Sequence, residues 1–230
     1  IRHRLRPRVE ACYPGPMQDS TQAVLRRFVV FEGLDGAGTT TQLKRVEAAL
    51  GSARIPHWTT FEPTNLPTGR LVRQVLRGEV EARPETLARL YSADRHEHLY
   101  GPGGVLERLG RGELVVSDRY IFSSLAYQGV ACGPDLPRLL NSGFPLPELL
   151  VFFDLPATVS MGRVDGRGER EIFDTLPFQE KVRRTYEESL SEFADSGVKI
   201  LRIDATKSIE AVTEAVMEGI GSILSDPATP

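Results

Sequence analysis

Residues 33–40 read Gly33-Leu34-Asp35-Gly36-Ala37-Gly38-Thr39-Thr40, directly after an apolar run and directly before a helical pattern. In that setting glycines let the backbone wrap an anion, and amide N–H groups converge on it with a helix N-terminus behind them. The chemistry is phosphate binding. Thr40 holds the hydroxyl position that such loops use to ligate Mg²⁺. Position 39 departs from the pattern: a lysine is expected after the last glycine as a point charge for the β- and γ-phosphates, and Thr39 carries no charge. Removing one charged donor of this kind costs a transition state about 2–4 kcal/mol. Lys44 does not replace it, because its place further along the helix puts it about 140° away around the axis. Leu34, Asp35, Gly36 and Ala37 bring no basic residue either.

The chain holds 24 Arg against 4 Lys among its 28 basic residues, but that bias does not explain an uncharged Thr39: either arginines elsewhere compensate or the activity is weak. The stretch from Arg163 to Asp174 is too charged and glycine-rich for a core, and it reads as a mobile lid, about 163–174, carrying Arg163, Arg167 and Arg170. Asp118 and Arg119 follow another short apolar run. A dianionic phosphate suits arginine forks, a flat base suits an aromatic face, and a sugar hydroxyl suits a carboxylate.

The elements that must position these residues alternate between strand and helix. Arg27–Glu32, His57–Phe61, Leu114–Ser117, Leu149–Phe153 and Lys199–Ile203 read as strands. Thr40–Leu50, Leu71–Leu76, Glu85–Leu99, Ala157–Arg163, Pro177–Phe193 and Ile209–Ile223 read as helices, with Pro84 suited to a first turn. Such alternation predicts a five-stranded parallel sheet with helices on both faces and a glycine loop at the C-terminal edge of the first strand. Residues 1–26 show no period and hold Arg2, Arg4, Arg6 and Arg8; they read as a mobile basic arm, within which Met17 is a candidate natural start. Residues 27–224 form the expected domain, and 225–230 a tail.

The 230-residue length fits one α/β domain, and an apolar content of 40% suffices for a core. A net charge of −3 argues against a general nucleic-acid binder. No apolar run is long enough for a membrane span, and no segment near the start resembles a signal peptide. Cys12 and Cys132 form no CxxC pair and read as reduced thiols of a cytoplasmic protein.

Four blocks occur in order: FEGLDGAGTTTQ (Phe31–Gln42), FEPTNLPTG (Phe61–Gly69), LYSADRHEH (Leu90–His98) and SDRYIFSSLAYQG (Ser117–Gly129). With them the chain resembles bacterial thymidylate kinases from about Phe28 to Ile223, and the last block is the most specific. No NKxD motif is present, which argues against a GTPase. The resemblance implies a P-loop nucleoside-monophosphate kinase fold with a short lid, transfer of the γ-phosphoryl group of ATP to dTMP in dTTP synthesis, Mg²⁺, and a homodimer. It implies that Asp35 holds the sugar 3′-hydroxyl, that Glu62 and Pro63 form the acidic turn beside the acceptor, and that Arg73 lines the nucleotide pocket. Tyr91 would stack on thymine, Arg95 would reach the base edge, and Arg119 would hold the acceptor phosphate. Ser124 and Gln128 would face the base, Tyr127 would crowd the place of a 2′-hydroxyl, and Asp118 would help order the metal, directly or through water. Ile203-Asp204-Ala205-Thr206 resembles the family's turn beside adenine.

One further departure is Phe61, where the family usually has arginine before Glu-Pro. A subgroup of these kinases donates arginines from the lid, which agrees with Arg163, Arg167 and Arg170 here. Two rival readings are a non-catalytic nucleotide-binding relative and a kinase for another nucleoside monophosphate. Retention of Asp35, Arg119 and the lid arginines counts against the first.

Overall fold

The computed structural model describes residues 22–166 and 171–225. Its centre is a five-stranded sheet in the order β2-β3-β1-β4-β5. The strands are β1 (Val24–Gly33), β2 (His57–Phe61), β3 (Leu114–Asp118), β4 (Leu146–Asp154) and β5 (Lys199–Asp204), and every pairing between neighbours is parallel. The expected parallel α/β fold is therefore present. The inner strands are buried on both faces, which is why Phe28-Val29-Val30-Phe31 and Leu149-Leu150-Val151-Phe152-Phe153 are continuous apolar runs rather than alternating ones.

β1 starts earlier than the apolar run suggests. Val24 and Leu25 pair with Leu146 and Pro147, and a register shift separates them from Val29. Arg27 sits in that irregularity at φ 62, with its N–H donated to Glu148. The end of the expected arm is thus sheet; residues 1–21 lie outside the described residues, as do 226–230 of the expected tail.

Helices α1 (Thr39–Ser52), α2 (Pro67–Leu76), α3 (Pro84–Tyr100) and α4 (Val105–Gly110) lie between β1 and β3 in the chain. Three helices, α2, α3 and α9 (Leu176–Glu192), open on a proline in the first turn, where its missing N–H is harmless. After β3 comes an irregular helical stretch, α5 (Ile121–Ser123), a π-helical segment (Ser124–Gln128) and α6 (Gly129–Cys132), followed by α7 (Asp135–Asn141). α8 (Ala157–Asp165) and α10 (Ile209–Leu224) complete the set. β1 has β3 on one side and β4 on the other, so the loops after β1 and β3 open side by side at the C-terminal edge, where parallel α/β sheets bind ligands. Among the described residues no helix is long and apolar enough to cross a membrane.

Candidate active site

The glycine loop leaves β1 and enters α1 as expected. Gly38 takes φ 92 as the residue preceding α1, and Gly36 takes φ 80 where a Cβ would meet Ser160 O at 2.7 Å. Both need the left-handed conformation, and Gly36 also needs the missing side chain. The first turn of α1 has no acidic residue, so no carboxylate of the helix itself offsets its positive end. Thr39 is buried there. Thr40 Oγ1 donates to Asp118 Oδ2 at 2.8 Å, joining the loop to the end of β3. The other oxygen, Asp118 Oδ1, is the one buried side-chain polar atom without a hydrogen-bond partner among the described residues. A hydroxyl and a carboxylate with an unused lone pair are hard oxygen donors of the kind Mg²⁺ takes alongside phosphates, so the residues fit that ion.

Beside the loop lies a cavity lined by Asp35, Glu62, Arg73, Tyr91, Arg95, Arg119, Tyr127 and Gln128, with Glu171 and Phe173 from the end of the expected lid. The sequence blocks thus meet in one place. Arg119 stands at φ 74 just past β3, its N–H donated to Phe31 O at 2.8 Å. Its guanidinium pairs with Asp35, donates to Ser123 Oγ at 3.0 Å and lies 5.1 Å from the centre of the Tyr127 ring. The Tyr127 hydroxyl accepts from the Asp35 amide at 3.0 Å and donates to Asp35 Oδ2 at 2.8 Å. Arginine, carboxylate and phenol therefore form one unit.

The end of the cavity at Glu62 and Arg95 rests on buried charge. Arg95, 1% exposed, donates through Nε and Nη2 to Glu62 Oε2 at 2.9 and 2.6 Å and also bonds Asn141. His98 Nδ1 lies 3.0 Å from Glu62 Oε1, and its Nε2 lies 2.7 Å from Thr60 Oγ1. Burial alone would raise the Glu62 carboxyl; Arg95 and His98 outweigh it and hold it below the usual carboxylate range. The Glu62–Pro63 peptide is cis. Arg73 braces this turn by donating to the carbonyls of Pro63 and Thr64, and its guanidinium lies 5.4 Å from the centre of the Phe61 ring. A cation is thereby returned to the turn whose expected arginine is replaced by Phe61.

Two expectations change. Ser124 does not line the cavity; its hydroxyl accepts from both Nη atoms of Arg95 at 3.2 Å, so it acts through that guanidinium. Arg163 is not in a lid, because α8 continues through Asp165. Its guanidinium donates to Gly36 O at 3.3 Å and to Ala205 O at 3.0 Å, bridging the glycine loop and the turn after β5. Arg167 and Arg170 lie outside the described residues. Of the expected lid, Ile172 N donates to Leu76 O at 3.1 Å, and the Phe173 ring stacks on Phe178 at 4.7 Å.

Sequence reasoning missed three buried polar groups. Gln179, in the first turn of α9, donates to Asp35 Oδ2 at 3.1 Å and to Phe173 O at 3.2 Å. His98 was read only as part of a block. Glu32 reads in sequence as no more than the end of an apolar strand. Their signal was weak, because one polar residue in an apolar run or on a helix is ordinary.

A phosphate loop facing an arginine–carboxylate–tyrosine unit across the opening of a parallel sheet defines a P-loop phosphotransferase whose acceptor is itself phosphorylated. The family model described as thymidylate kinase matches residues 31–216. A putative thymidylate kinase of Treponema pallidum is 42% identical over 197 residues, covering 84% of this chain and 94% of that protein. A putative thymidylate kinase of Aeropyrum pernix is 38% identical over 206 residues, with coverages of 85% and 98%. A thymidylate kinase of Desulforudis audaxviator is 39% identical over 211 residues, with coverages of 88% and 93%. The chain belongs to the thymidylate kinase family. It is a nucleoside-monophosphate kinase that moves a phosphoryl group from ATP to dTMP.

Proposed function

We propose that the cavity at Asp35, Arg119 and Tyr127 is the dTMP site and that the glycine loop with Thr40 and Asp118 is the ATP–Mg²⁺ site. The observation that carries this is the direct pairing of Arg119 with Asp35, which puts a cation for the acceptor phosphate and a carboxylate for the sugar within one cluster beside the loop. Arg119 aligns the acceptor phosphate, Asp35 takes the 3′-hydroxyl, and the Tyr127 ring occupies the room a 2′-hydroxyl would need. Tyr91 and Gln128 meet the base, with Arg95 at its edge; Glu62 and Arg73 hold the turn beside it. Thr40 and Asp118 would hold Mg²⁺, which would supply positive charge against that developing on the donor phosphates during transfer. Phosphoryl transfer asks mainly for alignment and charge neutralisation, and Arg167 and Arg170 would supply what Thr39 lacks. Closure over the cavity by the segment after α8, 166–174, would exclude water and limit ATP hydrolysis.

Thr39 favours one other reading, a relative that binds nucleotides without turning them over. Measuring ADP formation with dTMP, dUMP, dGMP and dCMP decides between them. Turnover with dTMP well above the others supports the proposal, and nucleotide binding without ADP formation overturns it. A cytoplasmic homodimer completes the proposal, and sedimentation gives its oligomeric state.

A further inference from the structure

Glu32 is the last residue but one of β1, fully buried, and outside the cavity. The irregular helical stretch that begins at Ile121 follows Tyr120, which offers no side-chain cap of its own. The first N–H groups of a helix need acceptors, and an unmet one in the interior is costly. Glu32 meets two of them from the neighbouring strand: Oε1 accepts from Tyr120 N at 2.8 Å and from Ser123 N at 3.2 Å. Oε2 accepts from Ser123 Oγ and from Tyr186 Oη, the latter at 2.9 Å from α9. All four contacts go to one carboxylate. The same Ser123 hydroxyl accepts from Arg119 Nη1, so a chain of bonds runs from Glu32 through Ser123 to Arg119 and on to Asp35.

We propose that Glu32 is a positioning residue for the acceptor phosphate: it caps in trans the helix that carries Ser123, Tyr127 and Gln128, and it fixes Arg119 through Ser123. This rests on the reading of Arg119 as the ligand of the dTMP phosphate. In its ionised form the carboxylate accepts all four bonds. A protonated carboxyl must donate one, which reverses the sense of the Ser123 or Tyr186 bond and removes the charge behind Arg119. Burial pushes this carboxyl up to about 7, against the lowering effect of Ser123, Arg119 and Tyr186. Arg119 and Tyr186 are the charged and titratable groups that face it, from the turn after β3 and from α9. Both forms are therefore accessible near neutrality.

The test uses the whole chain, with dTMP and ATP varied separately between pH 6 and 9. Glu32→Gln keeps the size and imitates the protonated form. At pH 8 its kcat/KM for dTMP is expected to fall about ten-fold or more, the effect of losing hydrogen bonds to a charged group, while KM for ATP stays within about two-fold. At pH 6 the two proteins should converge. The dTMP phosphate itself titrates near pH 6, but equally for both proteins, so their ratio reports Glu32. Tyr186→Phe removes one bond to the ionised carboxylate and should move the transition to higher pH. If Glu32→Gln does not fold, the Tyr186→Phe midpoint decides alone. A wild-type to Glu32→Gln ratio that does not change with pH, KM rising equally for both substrates, or an unmoved Tyr186→Phe midpoint overturns the proposal. Arg119→Ala is the separate control: if it leaves KM for dTMP unchanged, the reading of Arg119 fails, whatever Glu32 does.

Discussion

Raising the pH from 5 to 8 is expected to destabilise this protein through Glu32, and Glu32→Gln should remove that part of the dependence. The carboxyl moves from 4.5 in the unfolded chain to about 7 when folded. Between those values the folded state binds more protons, so stability falls as pH rises through the window and levels off above it. Linkage puts the loss from this one group at under about 1 kcal/mol by pH 5 and at about 3 kcal/mol by pH 8, a difference of roughly 2 kcal/mol. In a urea titration that is a midpoint shift of about 1 M for an ordinary slope. Other groups titrate alike in both proteins, so the assay compares the two midpoint-against-pH curves rather than either alone. Wild type should lose stability relative to Glu32→Gln on going to pH 8, in the range where its use of dTMP improves relative to the variant. Parallel curves would refute the reasoning. A wild type that gains relative stability with pH would mean that the carboxylate is favoured by its four donors more than burial disfavours it.

Other consequences concern the cavity and the loop. Arg95→Met should cost about 3–5 kcal/mol in a denaturant melt by leaving Glu62 buried without its ion partner, and it should raise KM for dTMP far more than for ATP. Gln179→Leu removes the donor shared by Asp35 and Phe173; KM for dTMP should rise about five- to ten-fold, preference for the deoxyribose over the ribose form should narrow, and KM for ATP should hold. Arg167→Ala or Arg170→Ala should cut turnover by about 10²-fold while ATP still binds, and Thr39→Lys should rescue part of that loss and do less in the intact protein. Equal Thr39→Lys effects in both backgrounds would remove compensation by Arg167 and Arg170.

The sheet was legible because its signals are local: apolar runs of strand length, glycines at strand ends, and prolines that open helices. The glycine loop was legible for the same reason. Arg119, Tyr127 and Asp35 could be named because they sit in compact blocks, although their bonding to one another spans distant parts of the chain and has no local signature. What escaped was support from behind. Ser124 looked like a base contact because it lies in the most specific block, yet its hydroxyl serves Arg95. Glu32 looked like no more than the end of a strand because nothing near it in sequence shows that a helix begins beside it in space. Arg163 looked like lid because the charged stretch starts there, whereas the helical pattern continues for another half-turn and ties it to two carbonyls.

Those carbonyls bear on Thr39. The two arginines described at the glycine loop are both engaged: Arg119 with Asp35, Ser123 and Gly33 O, Arg163 with Gly36 O and Ala205 O. Moving Arg119 toward the donor phosphates would give up its pairing with Asp35 and its bond to Ser123. Moving Arg163 would uncouple the loop from the turn after β5. Each exchange surrenders bonds made by a charged group, about 1.5–3 kcal/mol apiece, which is comparable with what one cation contributes to a phosphoryl-transfer transition state. Neither arginine therefore replaces the lysine at little cost. The double-mutant test on Arg167 and Arg170, rather than any single substitution at the loop, therefore asks whether the charge that Thr39 omits is supplied from outside the loop.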